Sequence, residues 1–116
     1  MADDKTTVKE LIDCVAAFEV ERDWQQFHSP KNLALGIAIE TGELLEHFQW
    51  ISEQQSRQVA DDPRQMAEVR EEMADVLCYL LNLAHVLGVD LSDAFFEKVK
   101  RNAQKYPVEK YKGRYK

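Results

Sequence analysis

The chain has 116 residues and a formal net charge of −6, a length that fits one domain with a modest core and leaves association of subunits open from the start. The charge is divided, because residues 1–97 hold 7 basic and 20 acidic side chains while residues 98–116 hold 8 basic and 1 acidic. An acidic body excludes a broad nucleic-acid surface, which needs many Lys or Arg contacts to phosphates; a short basic end can still meet one small polyanion.

Met1 to Asp4 carries no basic segment ahead of an apolar run and does not resemble a secretory signal. Glycine and proline are scarce and fall where helices would start or stop, so the sequence predicts an all-α, four-helix bundle-like protomer. The first helix starts at Thr7, which forms a capping box with Glu10, turns Val8, Leu11, Ile12, Val15 and Phe18 towards the core, and ends near Trp24. The second starts at the Ser29-Pro30 cap and runs to about Ser52. A polar connection over residues 53–62 folds it against the third helix, which starts at Asp62-Pro63, stops at Gly88 and makes an antiparallel pair with the second. The fourth starts at Asp90 or Ser92 and stops before Pro107, because the residue before a proline disfavours helix. Residues 107–116 form a basic tail, mobile or strapped to a neighbouring subunit, and the whole chain reads as one domain, 1–116. The charge-free run from Val76 to Val89 is too short to span a bilayer, so the expectation is a soluble cytoplasmic protein with no membrane partner. Cys14 and Cys78 lie in apolar helical patterns without ligand spacing and are expected to be buried, reduced thiols.

The chemistry sits on the second and third helices. At about 100° per residue, Glu40 shares a stripe with Leu33, Ile37 and Leu44, with Glu43 on its flank and Glu46 turned away. On the third helix Val69, Met73, Val76 and Leu80 mark the expected apolar face, Glu72 and Asp75 line its edge, and Glu71 falls opposite. Residues three apart on a helix have Cβ atoms about 5–6 Å apart, so two antiparallel helices bring four carboxylates together. Four anions beside an apolar core repel and lose hydration unless something compensates them, and a divalent cation does so simply. An all-oxygen set suits Mg²⁺, Mn²⁺ or Ca²⁺ rather than zinc, and Mg²⁺ takes remaining ligands from substrate phosphates. A di-iron bundle would need Glu-x-x-His, and none of His28, His47 or His85 has Glu three residues before it. The alternative is that these are solvated glutamates of no special role.

Glu40-Thr-Gly-Glu43 followed by Glu72-Met-Ala-Asp75 resembles the ExxE…ExxD signature of the MazG-like all-α nucleotide pyrophosphohydrolases. Glu21-Arg-Asp-Trp-Gln-Gln-Phe-His28, Pro30-Lys-Asn-Leu33, Phe48-Gln-Trp50 and Asn102-Ala-Gln-Lys-Tyr-Pro107 are similar to the dCTP pyrophosphatase branch, over most of residues 8–107. The resemblance implies Mg²⁺-dependent hydrolysis of a deoxynucleoside triphosphate, dCTP or a modified dCTP, to the monophosphate and pyrophosphate, with Mn²⁺ as a substitute metal. It implies Glu40, Glu43, Glu72 and Asp75 as the catalytic metal ligands. It assigns Trp24, His28, Asn32, Trp50 and Tyr79 to the nucleoside, by stacking and base-edge hydrogen bonds. Helical phase supports Tyr79 and Trp50, which both face the carboxylates in this reading. The resemblance assigns Lys98, Asn102, Lys105 and Tyr106 to the triphosphate; the alternative is a solvated helix end suited to the helix dipole. Leu35 and Ile39, with Cys78 and Leu81, lie off the main apolar stripes and would be exposed in a monomer, so a homo-oligomer is expected, a tetramer built as a dimer of dimers. Broader nucleotide or phosphoribosyl-ATP hydrolysis, and a non-catalytic helical module binding nucleotide, metal or a partner helix, are the competing readings.

Overall fold

The computed structural model describes all residues, 1–116. It is all-helical: α1 (Val8–Glu21), α2 (Pro30–Glu46), α3 (Glu53–Ser56), α4 (Pro63–Leu87), α5 (Leu91–Lys105) and α6 (Val108–Tyr111), with 3₁₀ turns at Ala2–Asp4 and Val59–Asp61. The starts are set by side-chain caps. Thr7 Oγ1 accepts from the Glu10 amide at 3.1 Å, Ser29 Oγ from the Asn32 amide at 3.2 Å, and Asp62 Oδ1 from the Arg64 and Gln65 amides at 3.0 and 3.2 Å. Gly88 ends α4 with φ 68°, a left-handed position that costs glycine little, and the Val89 amide reaches back to the Ala84 carbonyl at 2.9 Å.

Helix α2 stops at Glu46, short of the expected Ser52, because a new capping box between Ser52 and Gln55 starts α3. The expected polar connection thus holds two short helical turns, pinned to α4 by the buried Val59. The long helix α4 is central, with α2 packed along it most extensively and α1 beside it. Gly36 meets Tyr79, Glu43 meets Glu72, and His47 meets Glu68, so α2 and α4 run antiparallel. The approach at Gly36 is close: a Cβ there would sit 2.9 Å from Tyr79 Cζ and nearer still to Cε1 and Cδ1. Only a glycine lets the ring approach α2 this closely.

The core is thin, since eight residues are buried; Leu33, Val59, Val69, Leu81 and Ala84 are its apolar members. Leu33, Ile37, Glu40 and Leu44 of α2 do line the inward stripe. On α4 the inward stripe is Val69, Glu72, Val76 and Tyr79, while Met73 and Leu80 face outwards. Leu81 is buried, contrary to expectation, and Leu35 and Ile39 are exposed as expected. The cause is that α1 covers the C-terminal half of α4 on the side of Leu81 and Ala84 and leaves the Met73 side open. Along α1, Ile12 and Val15 are half-buried while Val8, Leu11 and Phe18 keep substantial solvent exposure. Both cysteines are free thiols and exposed, not buried, because the wall they occupy faces an open cavity.

Helix α5 leaves α4 at 103° and packs on no other element to any extent. Phe95, Phe96 and Val99 are therefore exposed. The radius of gyration is 17.2 Å, against about 13 Å for a compact chain of this length. The accessible surface is 9594 Å², against roughly 6,500 Å² for a compact monomer of this mass. No single helix is long and apolar enough to cross a membrane.

Candidate active site

Where α2 crosses α4, carboxylate oxygens of Glu40, Glu43 and Glu72 lie within 4.8 Å of one another. Glu40 and Glu43 are one turn apart on α2, and Glu72 faces them from the inward stripe of α4. Asp75, one turn along α4, stands outside this trio and lines the adjoining cavity together with Glu40. Glu40 Oε2 and Glu72 Oε2 are buried without a hydrogen-bond partner. Burial, then the Glu43 carboxylate beside it, then the charges of Asp75 and Glu72, push the Glu40 pKa from 4.5 up to about 7. Burial and Glu43 also raise Glu72, opposed by His47, whose Nε2 is 3.8 Å from Glu72 Oε1. Two orphaned oxygens and mutual repulsion are what a hard divalent cation would relieve, and the donor set is all oxygen. These residues could hold one.

Against the carboxylates opens a cavity of about 390 Å³. One wall carries a chain of edge-to-face aromatic rings: Phe18 to Trp24 at 5.6 Å, Trp24 to His28 at 6.2 Å, and His28 to Tyr79 at 6.0 Å. The turn after α1 places Trp24 in this chain, since Asp23 adopts a left-handed φ of 53°, which Asp tolerates, and the Trp24 amide folds back to the Glu19 carbonyl at 3.0 Å. The cavity also has a polar floor. Glu19 is buried; its Oε2 lies 2.8 Å from His28 Nδ1 and its Oε1 accepts from Asn82 Nδ2 at 3.1 Å. A carboxylate only accepts, so the proton is on His28 Nδ1 and the Asn82 amino group faces Glu19.

Of the residues singled out from sequence, the fold gathers Glu40, Glu43, Glu72, Asp75, Trp24, His28 and Tyr79. Trp50 is not among them: α2 ends four residues earlier, helical phase no longer applies, and the indole is 86 % exposed. Asn32 also points elsewhere, its Nδ2 donating to the Phe27 carbonyl at 2.9 Å, which makes it a loop tie. Lys98, Asn102 and Lys105 ride on α5 and Tyr106 caps its end, away from the carboxylates, with Lys105 Nζ over the Tyr106 ring at 5.4 Å and Tyr106 against Tyr111 at 5.1 Å. Sequence reasoning passed over Glu19, Asn82, His47 and Gly36. Asn82 did carry a signal, as an amide within the charge-free run Val76 to Val89.

Antiparallel helices bearing clustered inward glutamates beside an aromatic cavity define a class of all-helical, acidic-site proteins. The chain belongs to the MazG-like family, whose model matches residues 35–116. It is 43% identical over 107 residues to dCTP pyrophosphatase 1 of Mus musculus, an alignment covering 92% of this chain and 63% of that protein. With dCTP pyrophosphatase 1 of Homo sapiens it shares 42% identity over 102 residues, covering 88% of this chain and 60% of the relative. The chain thus spans less than two thirds of the length of these curated relatives. The crystal structure of a pyrophosphatase from Archaeoglobus fulgidus superposes with a TM-score of 0.79 at 44% identity, covering 85% of this chain and 91% of that one.

Proposed function

We infer that this chain hydrolyses a deoxynucleoside triphosphate, dCTP or a modified dCTP, to the monophosphate and pyrophosphate, clearing such nucleotides from the cytoplasmic pool. The observation that carries this reading is the pair of orphaned carboxylate oxygens in a glutamate trio that opens onto an aromatic cavity. Family membership and relatives named dCTP pyrophosphatase 1 support it. Glu40, Glu43 and Glu72, with Asp75 beside them, would hold Mg²⁺, or Mn²⁺ in its place. The bound cation supplies charge neutralisation at the phosphates and a more acidic water. The chain's own residues do the rest. Trp24 and Tyr79, which line the cavity, would enclose the base.

In this reading the exposed apolar face of α5 docks on a second copy, and the assembly is a homotetramer built from dimers. The excess surface of roughly 3,000 Å² per protomer supports it, being of the size that obligate interfaces bury. Such docking would bring Lys98 and Lys105 of one copy towards the carboxylates of another, giving the basic arm its role at the triphosphate. Incubation with a panel of nucleoside triphosphates and Mg²⁺, with products separated by chromatography, tests the chemistry. Pyrophosphate with monophosphate is expected; orthophosphate with diphosphate refutes the cleavage position. Light scattering that returns a monomer refutes the assembly.

A further inference from the structure

Glu19 has no part in the carboxylate trio. It projects from the last turns of α1, between Val15 and Trp24, into a wall that is otherwise aromatic and aliphatic, and its side chain is 9% exposed. A carboxylate so deeply placed is costly unless its lone pairs are occupied. Two partners are present, His28 Nδ1 at 2.8 Å and Asn82 Nδ2 at 3.1 Å, one on each oxygen. An ionised carboxylate offers about four lone-pair sites. Two remain, and the residue lines the cavity. Asn82 adds a carbonyl oxygen that accepts no hydrogen bond from the protein. The floor therefore offers acceptors, oriented from α4 by Asn82 and from the turn before α2 by His28.

A tie between α1 and α4 needs no carboxylate; two amides or an apolar pair would serve at lower cost in hydration. The acceptors make sense if a donor arrives with the ligand. We propose that Glu19, oriented by Asn82 and His28, is a specificity-determining residue that accepts a hydrogen bond from the exocyclic amino group of the base. The proposal rests on the reading of the cavity as a nucleotide site. Cytosine presents such an amine, and uracil presents in its place a carbonyl oxygen that would face a carboxylate, acceptor against acceptor. Rejection of the oxo base then follows from two buried acceptors facing each other with no proton between them, a stronger discriminator than shape. Adenine carries the same amine beside a ring nitrogen, so size along the aromatic wall, and not this contact, separates the two amino bases.

The test compares dCTP with dUTP as substrates for the wild type and for Glu19→Gln in Mg²⁺. The ratio of their kcat/KM values is expected to fall by roughly 10- to 100-fold in the variant, through loss on dCTP with little change on dUTP. An equal loss on both substrates would show Glu19 to be structural and overturn the proposal. Calorimetric binding of dCMP and dUMP to the metal-free wild-type protein gives a reading that needs neither turnover nor a folded variant. Tighter binding of dCMP is expected, and equal affinities overturn the proposal even where pyrophosphate release is established. Selective dCMP binding without any pyrophosphate release would instead sink the catalytic reading and leave the amine contact standing.

Discussion

Replacing Glu40 by glutamine removes a carboxylate whose pKa is raised to about 7 by burial, by Glu43 and by the charges of Asp75 and Glu72. Because the folded-state value lies above the ordinary 4.5, the folded protein binds the extra proton between these pH values. The associated stability is fully present below about pH 4.5 and is lost as pH rises through about 7. A sealed site with this shift would be worth ~3 kcal/mol; Glu40 keeps part of its surface in solvent, and screening reduces the effect to ~1–2 kcal/mol. In a chain of this length that is about 4–8 °C in Tm. Metal-free wild type is therefore expected to melt higher at pH 5.5 than at pH 8, and Glu40→Gln to lose most of that difference by gaining stability at pH 8. With millimolar Mg²⁺ the wild-type trend should reverse, since the cation needs the ionised carboxylates and stabilises the folded state through binding. Differential scanning calorimetry at both pH values, with and without Mg²⁺, measures all of this. If Glu40→Gln and wild type shift identically with pH, Glu40 is an ordinary solvated glutamate that converges with no other carboxylate.

Glu43→Gln should abolish turnover while leaving the helical circular dichroism nearly unchanged, because Glu43 is exposed and bears on Glu40 and Glu72 alone; retained activity would remove it from the site. Gly36→Ala forces the Tyr79 ring off α2, and a loss of about 1–3 kcal/mol in stability, together with a raised KM, is expected from chemical denaturation and steady-state kinetics. An unperturbed variant would mean that the close approach is dispensable. Phe96→Asp places a charge on the bare face of α5, where nothing in the protomer touches it strongly apart from Phe95; light scattering should report smaller assemblies without loss of helix content. An unchanged assembly size would locate the interface elsewhere.

Local signals were strong enough to be read without tertiary information wherever the physics is local. Thr7, Ser29 and Asp62 cap the helices that their residue types announce, Gly88 ends α4, and helical phase places Glu40 on the inward stripe of α2. The resemblance rested on equally local stretches, Glu40-Thr-Gly-Glu43 and Glu72-Met-Ala-Asp75 among them, and both lie within residues 35–116 that the family model matches. What failed was extrapolation across a boundary. Trp50 lay in phase with Glu43 only if α2 continued, and the capping box at Ser52 ends that continuity. The outward turn of Met73 and Leu80, and the burial of Leu81, depend on which side of α4 is covered by α1, a choice that periodicity does not encode because α4 has apolar residues on several sides.

The four acidic residues were legible because their spacing on two helices is a property of the chain. Their electrostatic state was not, since the raised pKa of Glu40 requires the helices to have met. The floor of the cavity was least legible of all. Glu19 and Asn82 are 63 residues apart in sequence and become one hydrogen-bonded unit only when α1 lies on α4. The sequence by itself determined where the main helices start, their caps and the paired carboxylates, because each arises from interactions within a few residues. The tertiary structure decided which carboxylates converge, which acceptors wait in the aromatic cavity and which apolar face of α5 stays uncovered, because each depends on the contact between distant segments.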